Sequence, residues 1–438
     1  MLDRHAMLFL RHIESRRKQT DEILSELGFD ALLIHSGRSE VRLFDDQGPP
    51  FRANSAFVAW VPQPFAEDSL LEIRVGEQPR LWFYQADDFW HVPPDHPAEW
   101  WAKDFEVQIC RSPEDWAACF SDDRSLAVIG RPRDVDDLLG GAALNPAPLI
   151  KRLDEMRTRK SEWEVECISE ANQIAVRAHQ AAAECFDAGG SELDIHLAYL
   201  AAAGQDQDHL PYNSIVALNE HAAVLHYQHR SPEQPKARRS FLIDAGANYH
   251  GYASDITRTW AADGADDFKH LIEAVDQAQL RIVDQARAGQ CYVDLHREAH
   301  LAIATVLEQF GIVRMTPAAM VESGVSGYFL PHGLGHFLGI QVHDVAGHRS
   351  PQGEPLPPPD QHPALRLTRK LERDNVITIE PGLYFIPVLL EKLKARPEGE
   401  KVDWGLIDAF LPFGGIRIED NVLVTEAHPV NMTRNGWA

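Results

Sequence analysis

The stretch FLIDAGANYHGYASDITRTW, residues 241–260, carries Asp244 and Asp255 through a pattern that reads as strand, turn, strand. Aspartate is depleted from strands, and a carboxylate turned into a core is costly unless positive charge meets it. Two such residues point to a cation. If a short tight turn joins the strands, the odd separation predicts that Asp244 and Asp255 are cross-strand partners on one face, with Cβ atoms ~5 Å apart.

Three further stretches add to this pair. PHGLGHFLGIQVHD, 331–344, holds His332, His336 and His343 among glycines that let backbone approach a ligand closely. VITIEPG, 376–382, ends an apolar β run on Glu380, and GGIRIEDN, 414–421, sets Glu419 in another strand. Alternation along that strand puts Arg417 and Glu419 on one face and Ile416 and Ile418 on the other. A lone acid in any of these stretches is ordinarily an exposed strand-end residue, but four acids and a histidine in Val/Ile/Gly surroundings are not. Asp244, Asp255, Glu380 and Glu419 carry four negative charges and neutral His336 adds a nitrogen, a set that two divalent ions neutralise. Carboxylates with one imidazole and no thiolate favour harder metals such as Mn²⁺ over the N/S sets usual for zinc.

The elements that must position these residues fall into two regions. An amphipathic helix over residues 3–27 leads into GFDALLIHSG, a strand bounded by glycines; FVAWVPQ, LLEIRVG, PRLWFYQ and SLAVIG read as further strands, with GEQP as a hairpin turn. This first half offers no metal-ligand cluster and is expected to be an α/β accessory domain, residues 1–160. Ser161 and Glu164 form a capping box at the head of a long helix. Helices over 266–287 and 292–310 follow the hairpin, and the rest is strands and links, including the proline-rich loop SPQGEPLPPPDQHP. Residues 161–438 therefore read as an α+β domain with helices packed on an antiparallel sheet.

Bulk properties exclude other roles. A length of 438 residues implies two or three domains. The formal charge of -24 disfavours nucleic acid and anionic membrane. No run approaches the ~18–20 apolar residues of a membrane span, and the N-terminus lacks a signal-peptide layout, so a cytoplasmic location is expected. Cys110, Cys119, Cys167, Cys185 and Cys291 are scattered without a C-x-x-C pair, which argues against both a disulfide framework and a zinc–thiolate site.

The ordered set of Asp244 in LIDAG, Asp255 in ASDITRTW, His336 in PHGLGH, Glu380 in TIEPG and Glu419 in GGIRIEDN resembles the M24 "pita-bread" dinuclear metallopeptidases, which include methionine aminopeptidase, aminopeptidase P and prolidase. All five ligand positions match. DALLIHSG, PFRANSAFVAWVP, LWFYQADDFWH, PYNSIVALNEHAAVLHY, GIQVHDVAG and LPFGGIRIEDN narrow the resemblance to bacterial Xaa-Pro dipeptidases (prolidases) and the related organophosphorus acid anhydrolases.

That resemblance implies two divalent ions ~3.5–4 Å apart that activate a water toward the scissile carbonyl. It implies that Glu380 shuttles the water's proton and that His226, His332 and His343 bind substrate and stabilise the transition state. Arg417, and less directly Arg369, would hold the proline carboxylate as a bidentate pair. Tyr212, Leu225, Tyr292, Val342 and Leu365 match pocket-lining positions. Asp45 in FDDQGPPF matches an aspartate that reaches the site of the neighbouring subunit, so a homodimer formed through the N-terminal domain is implied. Aminopeptidase P-like trimming of longer Xaa-Pro peptides is the nearest alternative activity, and a non-catalytic pita-bread binding module the alternative of another class. A side activity on organophosphorus triesters or fluoridates is expected because tetrahedral phosphorus resembles the amide's transition state.

Overall fold

The segment ALLIH, buried along its whole length, forms an interior strand of a six-stranded sheet. The computed structural model describes residues 4–90, 92, 94–97, 99–112, 115, 125–136 and 141–437, so Cys119 and residue 3 of the first helix lie outside the described residues. Two compact units emerge: Met1–Arg157 with Ser161–Glu164, and Thr158–Lys160 with Val165–Ala438.

In the first unit the strands are β1 (Ala31–His35), β2 (Leu70–Arg74), β3 (Arg80–Tyr84), β4 (Glu106–Cys110), β5 (Leu126–Ile129) and β6 (Ala143–Leu144), ordered β4-β3-β2-β1-β5-β6. Pairing is mixed: β1 runs antiparallel to β2 and parallel to β5. The GEQP turn joins β2 and β3 as an antiparallel hairpin. FVAWVPQ departs from expectation, because Ser55–Val58 is a short helix capped by Asn54, whose side chain accepts from the Phe57 N–H. Phe57, Val58, Ala59, Trp60 and Val61 are all buried. A short apolar run buried all round carries no period that separates strand from helix. The capping box holds: Ser161 N donates to Glu164 Oε2 at 2.9 Å, and Glu164 N to Ser161 Oγ at 3.3 Å.

The second unit contains β7 (Ile215–Leu218), β8 (Ser240–Asp244), β9 (Asn248–Tyr249), β10 (Tyr252–Ala253), β11 (Thr257–Ala261), β12 (Val376–Ile379), β13 (Gly382–Tyr384), β14 (Gly415–Arg417), β15 (Asp420–Leu423) and β16 (Val430–Asn431). Every strand pairing described here is antiparallel. The Asp266–Val283 and Tyr292–Gln309 helices share one apolar core with Ile377, Ile379, Ile416, Ile418 and Val422. The first of these helices ends at Val283, short of the expected 287.

Candidate metal centre

Asp244 closes β8, and its cross-strand partner is Thr257, not Asp255. The 249–252 pairing shows why: an extra pair of short strands extends the hairpin past the expected turn. The register moves by two residues, and a shift of two preserves the face. The carboxylates still converge, with the Tyr212 hydroxyl 2.7 Å from Asp244 Oδ1 and 2.5 Å from Asp255 Oδ1. Asn421 fixes the Asp255 backbone, accepting from its N–H at 3.0 Å and donating to its carbonyl at 2.5 Å.

Glu419 falls between β14 and β15 rather than inside a strand, bridging to Thr257. Thr257 Oγ1 donates to Glu419 Oε2 at 2.6 Å. Arg417 reaches the same side, as alternation predicts: Nη2 donates to Asp244 Oδ2 at 2.6 Å, Nε to Thr257 Oγ1 at 3.2 Å and Nη1 to the Tyr384 hydroxyl at 2.9 Å. Its donors serve the protein, so a bidentate grip on substrate would require Arg417 to leave these partners.

Glu380 follows β12, and its backbone N–H is held by the Leu334 carbonyl. In the PHGLGH loop, Gly335 (φ +154°) has Thr378 and the Tyr292 hydroxyl where a Cβ would stand. Its smallness thus serves protein packing beside β12. Tyr292 Oη donates to the Thr378 carbonyl at 2.7 Å.

His336 supplies the test of metal fit. Its Nδ1–H donates to the Phe337 carbonyl at 2.9 Å, so the unprotonated Nε2 faces Asp255 Oδ2 at 3.4 Å and Glu380 Oε1 at 3.6 Å. Burial holds this imidazole down at about 4, which keeps it neutral near pH 7. Lone pair facing lone pairs is repulsive unless a cation stands between them. One ligand atom each from Asp255, His336 and Glu419 lies within 4.8 Å of the other two. Burial, then the Asp244 charge, raises Asp255 well above the usual carboxylate range; burial and Asp255 do the same to Glu419, and burial and Glu419 to Glu380. The residues present fit a divalent-metal site.

These groups line a cavity of about 300 Å³ together with Leu225, His226, His332, His343, Arg366 and Arg417. His343 stacks edge-on against His336 with ring centroids 4.4 Å apart. His332 is committed at both nitrogens, Nδ1 to the Gly333 carbonyl at 2.8 Å and Nε2 to the Tyr384 hydroxyl at 2.9 Å.

Other expected positions sit elsewhere. Tyr292 lies under Gly335, and Val342 is half-buried in the loop before His343. Leu365 lines a neighbouring cavity. Arg369 is 1% exposed, paired with Glu372 at 2.9 Å and set 5.7 Å from the Phe337 ring, and it is not among the residues lining the first cavity. Asp45 is exposed in the first unit, where Oδ1 accepts the N–H groups of Asp46 and Gln47. Arg366 was missed. Its signal is the alternation of LRL, in which Leu365 and Leu367 are buried and Arg366 turns the other way. Tyr384, Thr257 and Asn421 carry no sequence signal of their own; only the fold brings them to the ligands.

Residues 166–426 match metallopeptidase family M24, and residues 7–154 match the Xaa-Pro dipeptidase N-terminal domain. The chain is 46% identical to an Xaa-Pro dipeptidase of Xanthomonas axonopodis pv. citri over 98% of both chains. It is 44% identical to that of Stenotrophomonas maltophilia over 98% of this chain and 97% of the relative. Among solved structures, zinc-substituted aminopeptidase P of E. coli superposes with a TM-score of 0.72 at 22% identity, covering 96% of this chain and 95% of the other, which establishes the shared fold. Model match, end-to-end identity and the acid–imidazole cavity agree: the chain belongs to metallopeptidase family M24.

Proposed function

We propose that this protein hydrolyses Xaa-Pro dipeptides to a free amino acid and proline with two divalent ions, Mn²⁺ by preference, held by Asp244, Asp255, His336, Glu380 and Glu419. The observation that carries the activity is the end-to-end relatedness to Xaa-Pro dipeptidases; the cavity supplies the chemistry. When bound, the ions provide Lewis acidity toward the scissile carbonyl and the attacking water.

The chain's own residues do the rest. Glu380, whose burial raises its affinity for a proton, takes one from the attacking water. It returns that proton to the proline nitrogen, a tertiary amide nitrogen with no N–H of its own. His226 and His343, both lining the cavity, donate to the developing oxyanion. His332 is held in place by Tyr384, which Arg417 in turn holds. Arg366 binds the proline carboxylate from the cavity wall, while Arg417 orients Asp244 through their 2.6 Å ion pair. Leu225, with Tyr212 behind the carboxylates, shapes the walls.

A homodimer belongs to the same proposal. Leu43 and Phe44, just before Asp45, are 83% and 100% exposed. Exposed apolar surface of this kind marks protein contacts, and Asp45 of a second copy would then meet the substrate's α-amine.

The test is hydrolysis of Leu-Pro and Met-Pro with added Mn²⁺. Turnover is expected; its absence across several metals, or equal cleavage of dipeptides without proline, contradicts the proposal. Ala-Pro should be cut faster than Ala-Pro-Pro, because a carboxylate clamp excludes the longer peptide.

A further inference from the structure

A second group of metal-ligating side chains lies outside the carboxylate centre. His296 and His300 stand one turn apart on the Tyr292–Gln309 helix, a spacing that puts both on one face. His362 joins them from the proline-rich loop, and one nitrogen of each ring lies within 4.8 Å of the other two. The ring centroids are 4.7 Å apart for His296–His300, 4.4 Å for His296–His362 and 4.8 Å for His300–His362.

His296 and His300 are 1% and 3% exposed, and His296 Nδ1 and His300 Nε2 are buried with no hydrogen-bond partner among the described residues. Orphaned buried polar atoms are costly and rare. At His300 the other nitrogen is engaged, Nδ1 pairing with Ser326 Oγ at 3.0 Å; a proton on Nδ1 donated to that oxygen leaves the Nε2 lone pair free. Metal-binding histidines are oriented in just this way, with the distal N–H tied to a neighbouring oxygen. Burial holds His296 down at about 2 and His300 at about 4, and it lowers His362 as well, so all three are in the neutral, ligating form near pH 7. They line a cavity of about 480 Å³ that shares Pro331, His332, Gly333 and Ala364 with the first cavity.

We propose that His296, His300 and His362 bind one transition-metal ion of the zinc class. Three imidazoles with an open fourth position suit zinc, whereas the carboxylate centre suits harder ions. The ion ties the helix to the loop that continues into Ala364 and Arg366 on the wall of the first cavity.

The experiment uses the full chain with the first centre disabled by Asp255→Asn and His336→Gln, dialysed against Zn²⁺ and analysed for metal. One zinc per chain is expected. Adding His362→Gln, at a half-buried loop position, should weaken zinc binding at least about 100-fold with an unchanged circular dichroism spectrum, and His300→Gln should do the same. Should the disabled chain fail to fold, His362→Gln alone, against the unmodified protein, should lower the zinc bound by one per chain. Zinc binding unchanged by His362→Gln, or a folded disabled chain that binds none, overturns the proposal.

Discussion

The carboxylate centre and the three-histidine cluster occupy adjoining cavities of one unit, yet their electrostatics are opposite. In the first, burial and then neighbouring carboxylates raise the proton affinity of Asp255, Glu380 and Glu419, and His336 turns a lone pair toward them. That arrangement is self-repelling near neutral pH until cations fill it. In the second, His296, His300 and His362 are uncharged and tolerate an empty site at the smaller cost of unpartnered nitrogens. Net charge is therefore what separates a centre whose structure depends on its metal from one that merely accepts a metal.

The comparison breaks most visibly at the ligands. Asp255→Ala or His336→Ala should lower Leu-Pro turnover at least ~10³-fold, about 4 kcal/mol of transition-state stabilisation, while His362→Gln leaves turnover within about threefold; steady-state assays with metal analysis check both. Metal removal comes next. Each ion at 100 times its Kd adds ~2.7 kcal/mol, so chelating two should lower Tm by roughly 10–20 °C given ~2–4 °C per kcal/mol. His362→Gln should leave most of that shift intact, as calorimetry would show.

Arg366→Ala should raise KM for Leu-Pro roughly 10- to 100-fold with a smaller change in kcat, reflecting ~1.5–3 kcal/mol from a charge-assisted contact. The amide Leu-Pro-NH₂, which lacks the carboxylate, should be insensitive to the same substitution. Gly335→Ala drives a Cβ into Thr378 and Tyr292 and should cost about 2–4 kcal/mol in urea denaturation.

The smallest effect concerns His12, a buried histidine whose nitrogens are both engaged, Nδ1 with Ser161 Oγ at 2.8 Å and Nε2 with the Ala59 carbonyl at 3.0 Å. Burial first, then Arg16, lowers it from 6.5 to about 4. The unfolded chain binds more protons in that window, so this contribution is fully present above pH 6.5 and is lost as pH falls toward 4. His12→Gln should flatten the Tm–pH slope between 6.5 and 4, with or without metal.

The element types and the acid–imidazole set were largely legible because they rest on local signals: period-2 runs, a capping box, and carboxylates embedded in apolar strands. FVAWVPQ misled because burial on every side erases periodicity. The Asp244–Asp255 register slipped because β9 and β10 are too short to announce themselves, although the shared face survived since the slip was even. The resemblance pointed to Arg369 and passed over Arg366; only the packing of Phe337 and Glu372 separates a buried structural arginine from one on the cavity wall. The His296–His300–His362 cluster was not read from the sequence, because only the fold brings His362 to the helix.

The most direct test is to strip the chain of metal and titrate Mn²⁺ back while following Leu-Pro hydrolysis and bound ions together. Activity should rise from near zero and level off at two ions per chain, with Asp255→Ala flat throughout. Full turnover in the stripped chain, or a titration in the unmodified protein that restores bound metal without activity, would contradict the account.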